Sequence, residues 1–255
     1  MPGAACGGIE AKDLELIVKS LPRLFEGIVL TVELTVISIA IGLCLAVPLG
    51  IAYIAKNPLI WAPVRAYVFY FRGTPLLVQI FLIYYGSGQF REPLEAAGLW
   101  VFFREPYFCA VLSLTLNTAA YTAYILRGAV QNVPFGEVEA ARACGMSGVL
   151  LYRRIILPKA FRLALPAYSN EVVFLLQATS LVSIITLLDL MGIARIIVAR
   201  SFAVYEIFIT AGILYLIVTY GILFAFRKVE HGLSGHLRAR DDERERAEAE
   251  ALAVR

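Results

Sequence analysis

The chain has 255 residues, 60% of them apolar against the ~45–50% of a soluble domain, and a mean hydropathy of +0.75. Charged residues make up 17%, the net charge is +3, and many of the charges sit in the last thirty positions. This excludes an ordinary soluble domain and gives no reason to expect a nucleic-acid partner, so the question is how the apolar residues are distributed.

They fall into long runs. In chain order these are residues 28–55, about 64–86, 106–126, 166–188 and 205–226. Each reaches the ~20 residues that cross a ~30 Å hydrocarbon core as a helix. The expected fold is therefore an all-α integral membrane protein with five transmembrane helices. An N-terminal periplasmic segment (1–27) precedes a transmembrane domain (28–228), and a charged cytoplasmic tail (229–255) follows as a solvated helix or disordered chain. Residues 1–27 lack the basic start and apolar stretch of a cleavable signal peptide. Pro48 and Pro75 sit inside spans. Pro75 follows Gly73-Thr74, which predicts a broken or bent second helix. With the C-terminus inside, sixteen Lys and Arg residues are cytoplasmic and seven are outside, so the orientation is N-out, C-in.

The residue types of catalysis are missing from these runs. Cys6, Cys44, Cys109 and Cys144 share no metal-like spacing, and His231 and His236 stand in the polar tail without a ligand constellation. No metal or cofactor is expected on this chain. A phosphate loop G-x-x-x-x-G-K-[ST] and an H-E-x-x-H pair are both absent from the sequence. Gly145-Met146-Ser147-Gly148 fails as a nucleophile elbow because Val149 stands where the last Gly is needed. A transport role is favoured over an enzyme.

Charge inside hydrocarbon costs roughly 2.5–3.5 kcal/mol per residue, which singles out Glu33, Arg72 and Glu171. Glu33 lies near an interface, and Arg72 suits an anchor at the inner one. Glu171 lies inside the fourth run beside Asn170, with Gln177, Thr179 and Ser180 further along; Asn170 and Gln177 can share a face. A weaker polar stripe, Asn117, Thr118 and Thr122, marks the third run. Two interpretations stand side by side: a solute path, or hydrogen bonding between helices.

The connection at residues 127–165 is too long to be structureless. "GEVEAARAC" favours a helix that Gly145 stops; Ser147 can cap a second helix, "GVLLYRRII", which Pro158 closes. The pair suits an anionic lipid surface. Equally, the small side chains of Ala140, Ala141, Ala143 and Gly145 suit the close approach of a soluble partner.

The spacing of Glu139-Ala140-Ala141, Gly145, Ile155 and Leu157-Pro158 matches the E-A-A-x3-G-x9-I-x-L-P motif. That motif resembles the one carried by the membrane (permease) subunits of bacterial ABC importers. The flanks, "YFRGTPLLVQIFLIYYG", "AAYTAYILRGAVQNVPFGEVEAARA" and "LPAYSNEVVFLLQATSLVSIITLLDL", are similar to the polar amino-acid permeases, notably those of histidine/lysine/arginine/ornithine and opine systems. The resemblance runs from about Gly27 to Lys228. It implies a type I ABC importer permease fold, multi-pass in the bacterial inner membrane, with a cytoplasmic coupling helix from Glu139 through Met146 and Ser147. It implies an ATPase dimer that holds the ATP and Mg, a periplasmic solute-binding protein, and a second permease subunit, as a heterodimer or a homodimer. The implied cargo is a polar, basic amino acid or opine. Glu171 matches an acid of the solute site, and Arg72 matches either a carboxylate partner or a stabiliser of the inner mouth. Two departures stand out: Gln177-Ala178 replaces a Lys-Asp pair of some cationic amino-acid permeases, and Tyr124 replaces an acid. The alternative, an ATPase-independent secondary transporter or channel, predicts internal repeats and no docking motif.

Overall fold

The computed structural model describes the backbone of residues 11–253 and the side chains of residues 14–232. Expectations for residues 1–10, Cys6 among them, and for the side chains of the tail, His236 among them, lie outside the described residues. All regular structure among the described residues is helical.

The first helix, α1 (Ala11–Tyr53), runs 43 residues. It starts well before the apolar run, so the boundary expected at residue 27 falls inside a helix. The reason is a buried stripe that ignores hydropathy. Ser20, Leu24, Gly27, Thr31, Leu34, Thr35, Ser38, Gly42, Ala46 and Gly50 recur at helical spacing and are all buried. Most are small. The stripe meets α6 (Pro106–Gln131), whose own buried face holds Ser113, Thr115, Thr118, Ala119, Ala120, Thr122 and Ala123. A Cβ on Gly42 would stand 2.6 Å from Thr118 Cγ2, and one on Gly50 would stand 3.2 Å from Leu126 Cβ. The two helices thus pack backbone to backbone, as small residues allow in a bilayer where lipid is as apolar as leucine.

The second run is two helices, α2 (Pro58–Gly73) and α3 (Leu76–Ser87), with a bend of 104° across Thr74-Pro75. Two short helices, α4 (Arg91–Ala96) and α5 (Trp100–Phe103), lead to α6. Four helical runs are long and apolar enough to cross a membrane, and the bent pair makes five when taken as one span.

The fourth span departs most from expectation. After α7 (Phe135–Ala143) and the single turn α8 (Gly148–Leu151), a π-helical turn over Tyr152–Ile156 leads straight into α9 (Leu157–Ala178). Pro158 therefore does not close a helix. Its ring cannot donate to a carbonyl one turn back, and the π turn accommodates this by bonding Leu157 N–H to Tyr152 O, one residue further. The span begins before Pro166, which lies inside α9, and the true connection is much shorter than 127–165 because α6 reaches Gln131. Beyond Ala178 the chain tightens into a 3-10 helix, Thr179–Ile185, which ends on Thr186 at φ +71°.

Helix α10 (Leu190–Ser201) and the long α11 (Val204–Ala253) complete the chain. A polar joint fastens them to α1. Asp189 is fully buried and caps α10 by accepting from Gly192 N–H at 2.9 Å, and Tyr215 Oη donates to its other oxygen at 3.3 Å. Leu190 N–H donates to Thr31 Oγ1 at 3.2 Å. Here Gly27 has no room to spare, since a Cβ would lie 2.7 Å from Leu190 Cα.

Gly27→Ala should therefore destabilise the fold by ~1–3 kcal/mol through overpacking against backbone. Gly86→Ala, whose Cβ would meet nothing within 4 Å, should be neutral or stabilising. Thermal unfolding of the two variants in detergent checks the contrast.

Candidate functional site

The break between α2 and α3 frees backbone carbonyls inside the bundle, where each unmet group is costly. Two amides satisfy them. Gln79, buried to 2% exposure, donates from Nε2 to Phe71 O at 2.9 Å, Thr74 O at 3.1 Å and Thr74 Oγ1 at 2.9 Å. Asn117 on α6 donates from Nδ2 to Gln79 Oε1 at 3.0 Å and to Phe71 O at 3.3 Å. Thr74 turns its own hydroxyl and N–H to Tyr70 O. Gln79 is not among the residues singled out from the sequence. Its signal was one turn after the proline of "RGTPLLVQ": a lone amide in an apolar run behind a helix break.

A cavity of about 450 Å³ opens beside this bend. Thr74, Pro75, Asn117, Tyr121, Glu171 and Phe174 are among its walls. Glu171 is 8% exposed, and its Oε1 accepts from Thr118 Oγ1 at 3.0 Å. Among the described residues no cationic side chain lies within 4.0 Å of it. The site thus offers a carboxylate, a polar bend and aromatic surface in one recess.

The other residues of the polar stripe do not join it. Gln177 and Ser180 line a second recess of about 330 Å³, with Met191, Phe208 and Tyr215. Thr179 is fully buried and spends its hydroxyl on Leu176 O at 2.7 Å, while Asn170 is exposed. The stripe expected on one face of α9 is split, because Asn170 and Gln177 lie a full residue's rotation from Glu171. Arg72 belongs to a third recess, with Tyr53, Arg65 and Tyr124. Its guanidinium carbon sits 3.7 Å from the Tyr124 ring centroid and 5.2 Å from that of Tyr121. Tyr124, at the position of the missing acid, carries cations on its face instead.

At the far end of α9, α7 lies under the bundle. Val138 and Ala141 are buried against Leu151, Ile156 and Ala160. Glu139, Ala140, Arg142, Ala143 and Gly145 are exposed, with Met146 packing inward. The stop at Gly145 is a Schellman turn: Gly145 at φ +79° donates to Arg142 O at 2.9 Å, and Met146 N–H donates to Ala141 O at 3.0 Å. Ser147 precedes α8 in extended conformation but makes no side-chain cap bond. Ile155 and Leu157 are half-buried and Pro158 is exposed. An ion pair between Lys159 and Glu137 ties α9 to α7, a contact between distant positions that no local pattern announces.

A family model described as "Binding-protein-dependent transport system inner membrane component" matches residues 27–234. Similar proteins include the nopaline transport system permease protein NocM of Agrobacterium fabrum, 47% identical over 228 residues, covering 89% of this chain and 95% of that protein. The histidine/lysine/arginine/ornithine transport system permease protein HisM of Escherichia coli K12 is 43% identical over 214 residues, covering 84% and 90%. A crystal structure of an amino acid ABC transporter with histidines superposes at a TM-score of 0.75, with 30% identity, over 84% of this chain and 95% of that one. The MetNI methionine ABC transporter, inward facing, shares the fold at a TM-score of 0.60 and 21% identity, over 88% of this chain and 99% of that one. The chain belongs to the family of binding-protein-dependent transport system inner membrane components. It is a transport component of the inner membrane.

Gln79→Leu should strip Thr74 O of its side-chain donor and leave Phe71 O with Asn117 alone, lowering stability by ~1–3 kcal/mol for the stranded carbonyl, against a small effect for Gln89→Leu, an exposed position. Melting temperatures in detergent measure it.

Proposed function

We propose that this chain is the permease subunit of an ATP-driven ABC importer, moving a basic amino acid or an opine into the cytoplasm. The observation that carries the proposal is Glu171, a buried carboxylate with no cation within ion-pair distance, on the wall of a cavity at a helix break. A cationic amino or guanidinium group entering there would supply that charge, and charge-assisted hydrogen bonds would offset its desolvation. Asn117, its amide hydrogens committed to the bend, offers its carbonyl oxygen to the same cargo. The names of the similar permeases, for nopaline and for histidine, lysine, arginine and ornithine, support a cargo of this class.

The exposed face of α7 supports the coupling assignment. Glu139, Ala140, Ala143 and Gly145 present a small-residue surface with one acid, on which another backbone can come close. Ala141, Met146, Ile155 and Leu157 face or border the bundle and position that surface, while Ser147 and Pro158 bracket its connection to α9. The proposed partners are an ATPase dimer docked on α7, which holds ATP and Mg, a periplasmic solute-binding protein, and a second permease subunit in a heterodimer. This chain's own part is mechanical: it binds the cargo, and α7 and α9 carry the partner's motion to the cavity. The orientation is N-out, C-in.

Two substitutions separate the roles. Glu171→Gln should lower uptake of a cationic amino acid by about 10–100-fold, the worth of one charged hydrogen bond, and leave co-purification with the ATPase intact. Glu139→Lys should reduce co-purification and uptake together. Loss of assembly with Glu171→Gln would make that residue structural. Unchanged uptake with Glu139→Lys, from a chain that purifies without any ATPase, would remove the importer assignment.

A further inference from the structure

We propose that Arg65, Arg72 and Arg127 form a binding site for the phosphate of an anionic membrane lipid. This inference does not rest on the transport assignment. The three guanidinium groups share an aromatic frame built by α1, α2 and α6. Arg65 stands over Trp61 at 4.0 Å and Tyr53 at 5.3 Å. Arg127 stands over Tyr53 at 4.8 Å and Tyr124 at 5.3 Å, and Arg72 lies over Tyr124 at 3.7 Å. Tyr53 and Tyr124 meet edge to face, with centroids 6.3 Å apart. Two rings therefore each carry two cations, which brings like charges close together.

Among the described residues, no carboxylate lies within 4.0 Å of any of the three. The ring quadrupoles hold each cation but leave its positive charge in place. Arg72 Nε is buried and has no hydrogen-bond partner. A recess of about 350 Å³ lies at that position, walled by Arg65, Arg72, Tyr53, Tyr124 and Phe69, with Gly73 leaving space at its edge. Guanidinium forks match phosphate oxygens in pairs, so Arg65 and Arg72 in the wall of the recess, with Arg127 over the same Tyr53 and Tyr124 rings, are chemistry for a phosphate anion.

The surroundings select a lipid over a soluble phosphate. Beside the cations α2 presents Leu59 at 84% exposure and Phe69 at 81%, an apolar strip that acyl chains would cover. Trp61, on the same helix, suits the headgroup level. A soluble phosphate gains nothing from that strip. By the charge bias of the loops the arginines stand at the cytoplasmic leaflet, where anionic headgroups attract basic residues.

The test uses the full chain, purified in detergent and observed by native mass spectrometry during titration with phosphatidylglycerol, phosphatidylcholine or inorganic phosphate. Phosphatidylglycerol should remain bound at least ten-fold more tightly than phosphatidylcholine. The double variant Arg65→Gln/Arg127→Gln should lose that preference, while Arg104→Gln, whose partner is Glu105, should keep it. Equal retention of both lipids, or an unchanged preference in the double variant, would overturn the proposal. Inorganic phosphate that binds with the same dependence on Arg65 and Arg127 and displaces the lipid would overturn the lipid source. A second measurement needs no arginine variant: phosphatidylglycerol with brominated acyl chains should quench the fluorescence that Trp61→Phe removes. If that component is quenched no more than by brominated phosphatidylcholine, the site is elsewhere and the proposal fails.

Discussion

The close crossing of α1 and α6 is the contact on which the other helices are hung. In a bilayer, burying a leucine against another helix gains little over leaving it in lipid, so association rests on tight packing and hydrogen bonds. Gly42, Ala46 and Gly50 supply the packing from one side, and Thr118, Ala119 and Ala123 from the other. The Thr118 side chain that meets Gly42 through its methyl group also donates its hydroxyl to Glu171. A steric contact between two helices thus fixes the donor that orients the carboxylate of a third. The position of the charge in the cavity is inherited from a glycine on the opposite side of α6.

The same economy governs the places where helices break. At two breaks backbone groups that water cannot reach are answered by buried polar side chains, from the broken helices themselves and from a neighbour. Gln79 and Asn117 answer the bend of α2 and α3; Asp189 and Thr31 answer the start of α10. Hydrogen bonding between helices is therefore present beside the cavity proposed for the cargo. Thr118 and Asn117 serve the first while bordering the second. Thr179 serves only the first, with its hydroxyl spent on Leu176 O.

Much of this was legible from hydropathy and spacing. Four apolar runs became helices, the fourth only as far as Ala178, Gly73-Thr74-Pro75 marked the bend, and Gly145 marked the Schellman turn, because those signals are local. What was not legible depended on partners. The start of α1 at Ala11 follows from a stripe of small residues that an average of hydropathy cannot see, although the spacing Gly42, Ala46, Gly50 was there to be read. Pro158 looked like a terminator because a proline usually is one. The π turn that tolerates it leaves no mark in "YRRIILP". Asn170 and Glu171 are neighbours in sequence but point to different sides of α9, so the polar stripe could be divided only once the neighbouring helices were placed. The Lys159–Glu137 pair and the frame of Tyr53 and Tyr124 join residues far apart in the chain.

The geometry of α9 also constrains how any motion at α7 reaches the cavity. Leu157 and Glu171 belong to one helix, whose ladder lacks one donor at Pro166, so Glu171 lies ~21 Å along the axis from Leu157 at 1.5 Å per residue. The helix is tied to α7 at its lower end twice, through the packing of Val138 and Ala141 on Ile156 and Ala160 and through the ion pair of Lys159 with Glu137. A push on α7 is therefore delivered to α9. Between the tie and α8 lies the π turn, where the hydrogen-bond ladder is already out of register. A helix is stiff where its ladder is regular, and the least costly place for it to twist is where the ladder is interrupted. Two such places lie on the path from α7, the π turn below the tie and Pro166 above it, and between them they let the part of α9 that carries Glu171 rotate. Rotation would carry Glu171 across the face of α6, away from Thr118, and so change the carboxylate's partner along with the shape of the cavity. Coupling by this route needs two arrangements of one element with different contacts, and no chain of intervening residues.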